Sequence, residues 1–150
     1  MINQEKKTNL LIGACLGGAL TCFLTLFIQW WPSSVETQEL TAGTGDQIAA
    51  EGKQVVFHYE AFLRDPSQKD ELGLKWDSTY ERHQPMVAIL GSKQVIPGLE
   101  EALAGMKVGA KRIARIPSSK AYGKLGAAGG LIPPGADLIY RLEVKSITVH

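Results

Sequence analysis

Cysteine is almost missing from this chain of 150 residues: there are two, Cys15 and Cys22, both inside one apolar run near the N-terminus. Everything after that run lacks a thiol, which excludes disulfide stapling, thiol chemistry and cysteine-based metal sites there. A strong charge of one sign is missing too. Sixteen basic residues against fifteen acidic ones leave a net +1, too little for the basic face that neutralises nucleic-acid phosphates. Histidine is scarce: His58, His83 and His150 share no ligand-type spacing and read as surface or core residues, so no metal site is expected. The chain has no Gly-x-x-x-x-Gly-Lys phosphate loop and no Gly-x-Ser-x-Gly elbow, and Gly43-x-Gly45 lacks the third glycine of a dinucleotide site. The adjacent carboxylates Asp70-Glu71 and Glu100-Glu101 read most simply as solvated. Conventional nucleophilic or metal catalysis therefore has no constellation to work with.

What the sequence does contain is unevenly spread. No charged residue lies between Lys7 and Glu36. Residues 10–31 are mostly apolar, and as a helix they would extend about 33 Å, enough for a hydrocarbon core of roughly 30 Å. Trp30 and Trp31 close the run as interfacial anchors do, and Pro32 ends it. Lys6 and Lys7 precede the run, whereas no Lys or Arg follows until Lys53, so the positive-inside rule puts residues 1–9 in the cytoplasm and the remainder outside. A cleaved signal peptide has a shorter apolar region of about 7–15 residues, and Gln29-Trp-Trp-Pro32 is a poor cleavage site. Ile12-Gly13-Ala14-Cys15 loosely resembles a lipidation box, but most of the apolar run follows the cysteine. The expectation is an uncleaved signal anchor at 10–31. Gly13, Gly17, Thr21 and Thr25 recur every fourth residue, the small-residue spacing that permits close helix pairing.

The rest reads as one domain. Residues 32–48 form a tether that runs into a first strand near Thr37–Leu40, with Gly43 and Gly45 supplying a turn. Val55, Phe57, Tyr59, Ala61 and Leu63 alternate with polar neighbours, which predicts a strand buried on one face. Leu138, Tyr140, Leu142 and Val144 repeat that pattern, and 86–90 and 111–116 are shorter strand candidates. A single short helix is predicted, with Pro97 in its first turn, Glu100 and Glu101 at its positive end, Leu99, Leu103 and Met106 on one face and Gly105 as its C-terminal cap. Antiparallel strands with one helix make an α+β domain.

Two long segments carry a resemblance: Lys93-Gln-Val-Ile-Pro-Gly-Leu-Glu-Glu-Ala-Leu-Ala-Gly-Met-Lys-Val-Gly109, and Ala121-Tyr-Gly-Lys-Leu-Gly-Ala-Ala-Gly-Gly-Leu-Ile-Pro-Pro-Gly-Ala-Asp-Leu138. With Val56-Phe-His-Tyr59 and Trp76-Asp-Ser78, in this order, they resemble the FKBP-type peptidyl-prolyl cis-trans isomerases over roughly residues 36–149, within a domain taken as 36–150. The resemblance implies an antiparallel sheet of five or six strands wrapped around one short helix, preceded here by the transmembrane helix. It implies prolyl isomerisation in exported polypeptides through a non-covalent apolar pocket, with no cofactor and no metal. By motif position, Tyr59, Asp77, Ile96 and Tyr122 would be the catalytic set. Trp76, Met86, Val95, Leu99 and Tyr140 would bind substrate, and Arg82 would support Asp77. A peptide-binding or chaperone-like module with weak turnover is the alternative function.

The implied partners are proline-containing substrates, a macrolide ligand and, through the N-terminal helix, the membrane; nucleic acid is not among them. In a bacterium the protein would be a single-pass protein of the inner membrane with its domain in the periplasm. Leu99 and Met86 stand where the family often has aromatic residues, which implies a shallower floor and weaker macrolide affinity. The segment 64–75, with Asp65-Pro-Ser67 as a turn, is longer than the family's usual hairpin. The loop 122–132 is too short for the chaperone domain that some bacterial relatives insert.

Overall fold

The computed structural model describes residues 34–149. Two twelve-residue strands, β2 (Lys53–Arg64) and β6 (Leu138–Val149), pair antiparallel along their whole length, from Leu63 opposite Leu138 to Lys53 opposite Val149. Their inward residues Val55, Phe57, Tyr59, Ala61, Leu138, Tyr140, Leu142 and Val144 are buried, as period-two alternation requires. Beyond β6 come β5 (Lys111–Ile116) and then β1 (Glu36–Thr41), an edge strand exposed throughout. On its other side β2 is shared: β4 (Met86–Ile89) pairs with its first half and β3 (Leu72–Ser78) with its second. The sheet thus has six strands, all antiparallel.

Among the described residues one α-helix, α1 (Pro97–Leu103), packs against the sheet. Seven residues are too few for a helix to persist alone, so its stability comes from packing. Leu99, Ala102, Leu103 and the following Met106 are buried among the inward residues of β2, β5 and β6. Pro97 at the first helical position forces Ile96 into an extended conformation (φ −59°, ψ 146°) and so fixes where the helix begins. Gly105, at φ +78°, leaves the last turn through the left-handed region as a C-terminal glycine does.

The structure departs from the sequence pattern at three places. The segment 64–75, given above only a turn, also contains the start of a strand. The chain makes a short 3-10 turn at Lys69–Glu71 and enters β3 at Leu72. Gly73 and Lys75 hid that strand, because bulges opposite Ala61 and Phe62 break the alternation. Ile139, expected on the open face of β6, is fully buried, in keeping with its place beside buried Phe62. Leu63 is only half buried. No helix among the described residues is long and apolar enough to cross a membrane. The anchor expected at 10–31, both cysteines, the small-residue stripe and His150 lie outside the described residues.

Candidate active site

A row of three residues across β3, β2 and β6 shows how the sheet opens a cleft. Asp77, Ala61 and Tyr140 are neighbours in register, and Ala61 between them has only a methyl group to offer. The space above it is shared by larger neighbours. Tyr59, two residues back on β2, brings its ring within 5.5 Å of Tyr140. Trp76 stands edge-on to Tyr140 at 6.2 Å and to Tyr122 at 6.3 Å. Leu99 of α1 supplies an aliphatic floor, and Met86, Val95 and Ile96 complete the wall. The cleft holds about 420 Å³ and opens to solvent.

Its polar groups are few and mostly engaged. The Tyr59 hydroxyl donates to Asp77 Oδ2 at 2.5 Å and accepts from Arg82 Nη2 at 3.0 Å. Arg82 Nη1 pairs with Asp77 Oδ1, which also accepts the Ser78 backbone N–H at 2.8 Å. Thr79, fully buried, fastens this corner: its hydroxyl accepts the Tyr59 backbone N–H at 2.8 Å and lies 2.9 Å from His58 Nδ1. Burial pushes the Asp77 carboxyl up. The Arg82 and Tyr59 hydrogen bonds and the Arg82 charge outweigh that, leaving it below the usual carboxylate range. Burial raises Tyr59, Tyr122 and Tyr140 above the ordinary phenol value. Each group is thus held in its ordinary neutral-pH form.

Two donors differ from the rest. The Ile96 backbone N–H has no acceptor among the described residues, because Pro97 holds Ile96 extended while its carbonyl starts the helix, accepting from Leu99 at 2.9 Å and Glu100 at 3.3 Å. Trp76 Nε1 is likewise buried without a partner.

The family model described as FKBP-type peptidyl-prolyl cis-trans isomerase matches residues 45–145. The chain belongs to this family. It is 41% identical over 114 residues to an FK506-binding protein of Neisseria meningitidis serogroup A, spanning 76% of this chain and 96% of that relative. The same identity holds over 99 residues to the peptidyl-prolyl cis-trans isomerase FPR2 of Saccharomyces cerevisiae, covering 66% and 68%. Among solved structures, FkpA from Escherichia coli superposes with a TM-score of 0.65 at 32% identity, over 77% of this chain. The chain spans about half of FkpA, 48% of its length.

In this FKBP-type isomerase all nine residues assigned to the pocket from motif position line the one cleft, and Arg82 reaches it through Asp77 and Tyr59. Motif position did not single out Lys93 and Gln94, which form part of the rim. Nor did it mark Thr79, whose buried hydroxyl no sequence pattern announces. The positive φ at Lys93 (+60°) depends on the loop's tertiary setting, and sequence gives no sign of it.

Proposed function

We propose that this cleft is where the X-Pro bond turns, and that it works without covalent chemistry. A prolyl amide rotates over a barrier of roughly 18–20 kcal/mol because resonance is lost at 90°, and unassisted exchange takes tens of seconds or more. The twisted amide has less charge separation than the planar one. An apolar, water-poor cleft therefore favours it differentially, which is what catalysis requires.

The unpartnered Ile96 N–H beside an aromatic cleft carries this reading. It supplies a fixed donor for a peptide carbonyl, and Tyr122 supplies a second one from the opposite loop. Tyr59 and Asp77, locked together by Arg82, form the wall near the rotating carbonyl. Leu99 lies under the proline ring, while Trp76, Met86, Val95 and Tyr140 enclose it. The substrate is an extended segment with an apolar residue before proline. A macrolide of the kind named for the Neisseria relative would enter the same cleft, more weakly because Leu99 and Met86 are aliphatic. The charge asymmetry around residues 10–31 supports a membrane anchor with the isomerase domain exported.

A prolyl-exchange assay on the full-length protein tests the site. Asp77→Ala frees Arg82 and the Tyr59 hydroxyl together and should lower kcat/KM at least tenfold. Undiminished exchange in that variant would rule the cleft out as the site of rotation.

A further inference from the structure

The pairing of Asp77 with Arg82 closes one charge on another, so that corner offers a substrate little net charge. The remaining ionic residue in the cleft wall is Lys93. Among the described residues its ammonium makes no ion pair. The backbone beneath it is held tightly. Lys93 N–H donates to Glu100 Oε1 at 3.0 Å, Ser92 Oγ donates to the Ile89 carbonyl at 2.6 Å, and Gln94 Oε1 accepts the Ile89 N–H at 3.0 Å. Three consecutive residues are thereby pinned to β4 and α1, and Lys93 is kept in the left-handed region at φ +60°. A non-glycine residue stays there only where its surroundings over-determine it, and such strain gathers at ligand-binding sites. Glu100, the carboxylate in this network, accepts from the Lys93 backbone N–H and forms no salt bridge with the Lys93 ammonium, which stays available to a ligand. Lys93 and Ile96 line the same cleft, so a chain bonded at the Ile96 N–H lies in the cleft whose rim carries the ammonium.

We infer that Lys93 gives this isomerase a preference for X-Pro segments that keep an apolar residue before the proline and carry a carboxylate side chain two residues before it or one or two residues after it. The inference rests on the cleft being the site of isomerisation. An exposed ion pair at the rim is weak, so the preference is about two- to fivefold in kcat/KM at low ionic strength. It falls as salt screens the pair, approaching one near ~1 M, where the Debye length is about 3 Å. The effect belongs in KM, because the ammonium lies at the rim and does not change its contacts as the bond rotates.

The test uses the full-length protein and short peptides with one proline and an apolar residue before it, in which glutamate or glutamine occupies in turn the second position before the proline and the first and second positions after it. The readout is the ratio of kcat/KM for each Glu peptide to its Gln counterpart. At one or more positions the ratio should reach about two to five in low salt. It should fall to one in Lys93→Met and below one in Lys93→Glu. Ratios of one at all three positions, or a preference that survives Lys93→Met, would overturn the assignment. Turnover of the Gln peptides separates the two levels: if they are isomerised without a Glu preference, only the role of Lys93 fails. If neither set is isomerised, the reading of the cleft fails and takes this inference with it.

Discussion

Tyr59, Asp77 and Arg82 hold one another in a ring of short contacts, and none of them changes protonation near neutrality. Asp77 sits below the carboxylate range, Tyr59 above the phenol range, and Tyr122 and Tyr140 are raised as well. Among the described residues no histidine lines the cleft. The rate should therefore be almost flat from about pH 6 to 8, a range far from the ordinary carboxylate and phenol values. Measured kcat/KM across that range checks this, and a bell-shaped profile would instead indicate general acid–base catalysis.

Stability has its own pH dependence at the same ring. The Asp77 pKa is depressed on folding, so its contribution is complete above the unfolded carboxylate value of about 3.9 and is lost as pH falls through the lower folded value. Tyr59→Phe removes one of the bonds that depress it. That variant should lose about 1 kcal/mol at pH 7, less than the roughly 1.5–3 kcal/mol of a buried hydrogen bond to a charged group because the ring is partly open to water. Its acid unfolding should begin at a higher pH than in the parent. Denaturant titrations at several pH values would show both effects. Equal acid resistance in the two proteins would mean that the 2.5 Å bond contributes nothing.

Among the elements, α1 depends on one close approach. A Cβ at Gly98 would lie 2.2 Å from Ile116 Cγ2 and 3.1 Å from the Lys120 carbonyl, so only glycine lets the helix start come this near β5. The constraint is steric: Gly98 does not have a positive φ. Gly98→Ala should cost about 1–3 kcal/mol by overpacking. It should also lower catalysis, because Ile96 and Leu99 flank it on the cleft side. A denaturation midpoint combined with an exchange assay tests both halves, and full activity with reduced stability would show that the cleft tolerates movement of α1. The bulged β3 illustrates the opposite relation between element and sequence. Its register slips between Ala61 and Phe62 and again before Arg64, yet it still delivers Trp76 and Asp77 to the cleft, because pairing with β2 fixes it where local alternation does not.

For the whole molecule, the N-terminal run bears on how the domain is mounted. The asymmetry of Lys6 and Lys7 before an uncharged run predicts an N-terminus in the cytoplasm and the isomerase domain across the membrane. A reporter fused after His150 should be active only when exported; activity confined to the cytoplasm would refute the topology.

The amino-acid order by itself determined the family, the α+β class, α1 and five of the six strands, because period-two alternation, Pro97 and Gly105 are local signals that act within a few residues. It also determined which nine residues surround the cleft, since long motifs in fixed order leave little freedom of alignment. Only the tertiary structure decided the rest. β3 exists through pairing with β2, and Ile139 is buried because neighbouring strands bring other side chains onto its face. Thr79 secures Tyr59 across a gap of twenty residues, and Lys93 is kept in the left-handed region because Ser92, Gln94 and Glu100 hold the loop beneath it. Each of these depends on groups distant in sequence meeting in space, so no pattern within a few residues encodes it.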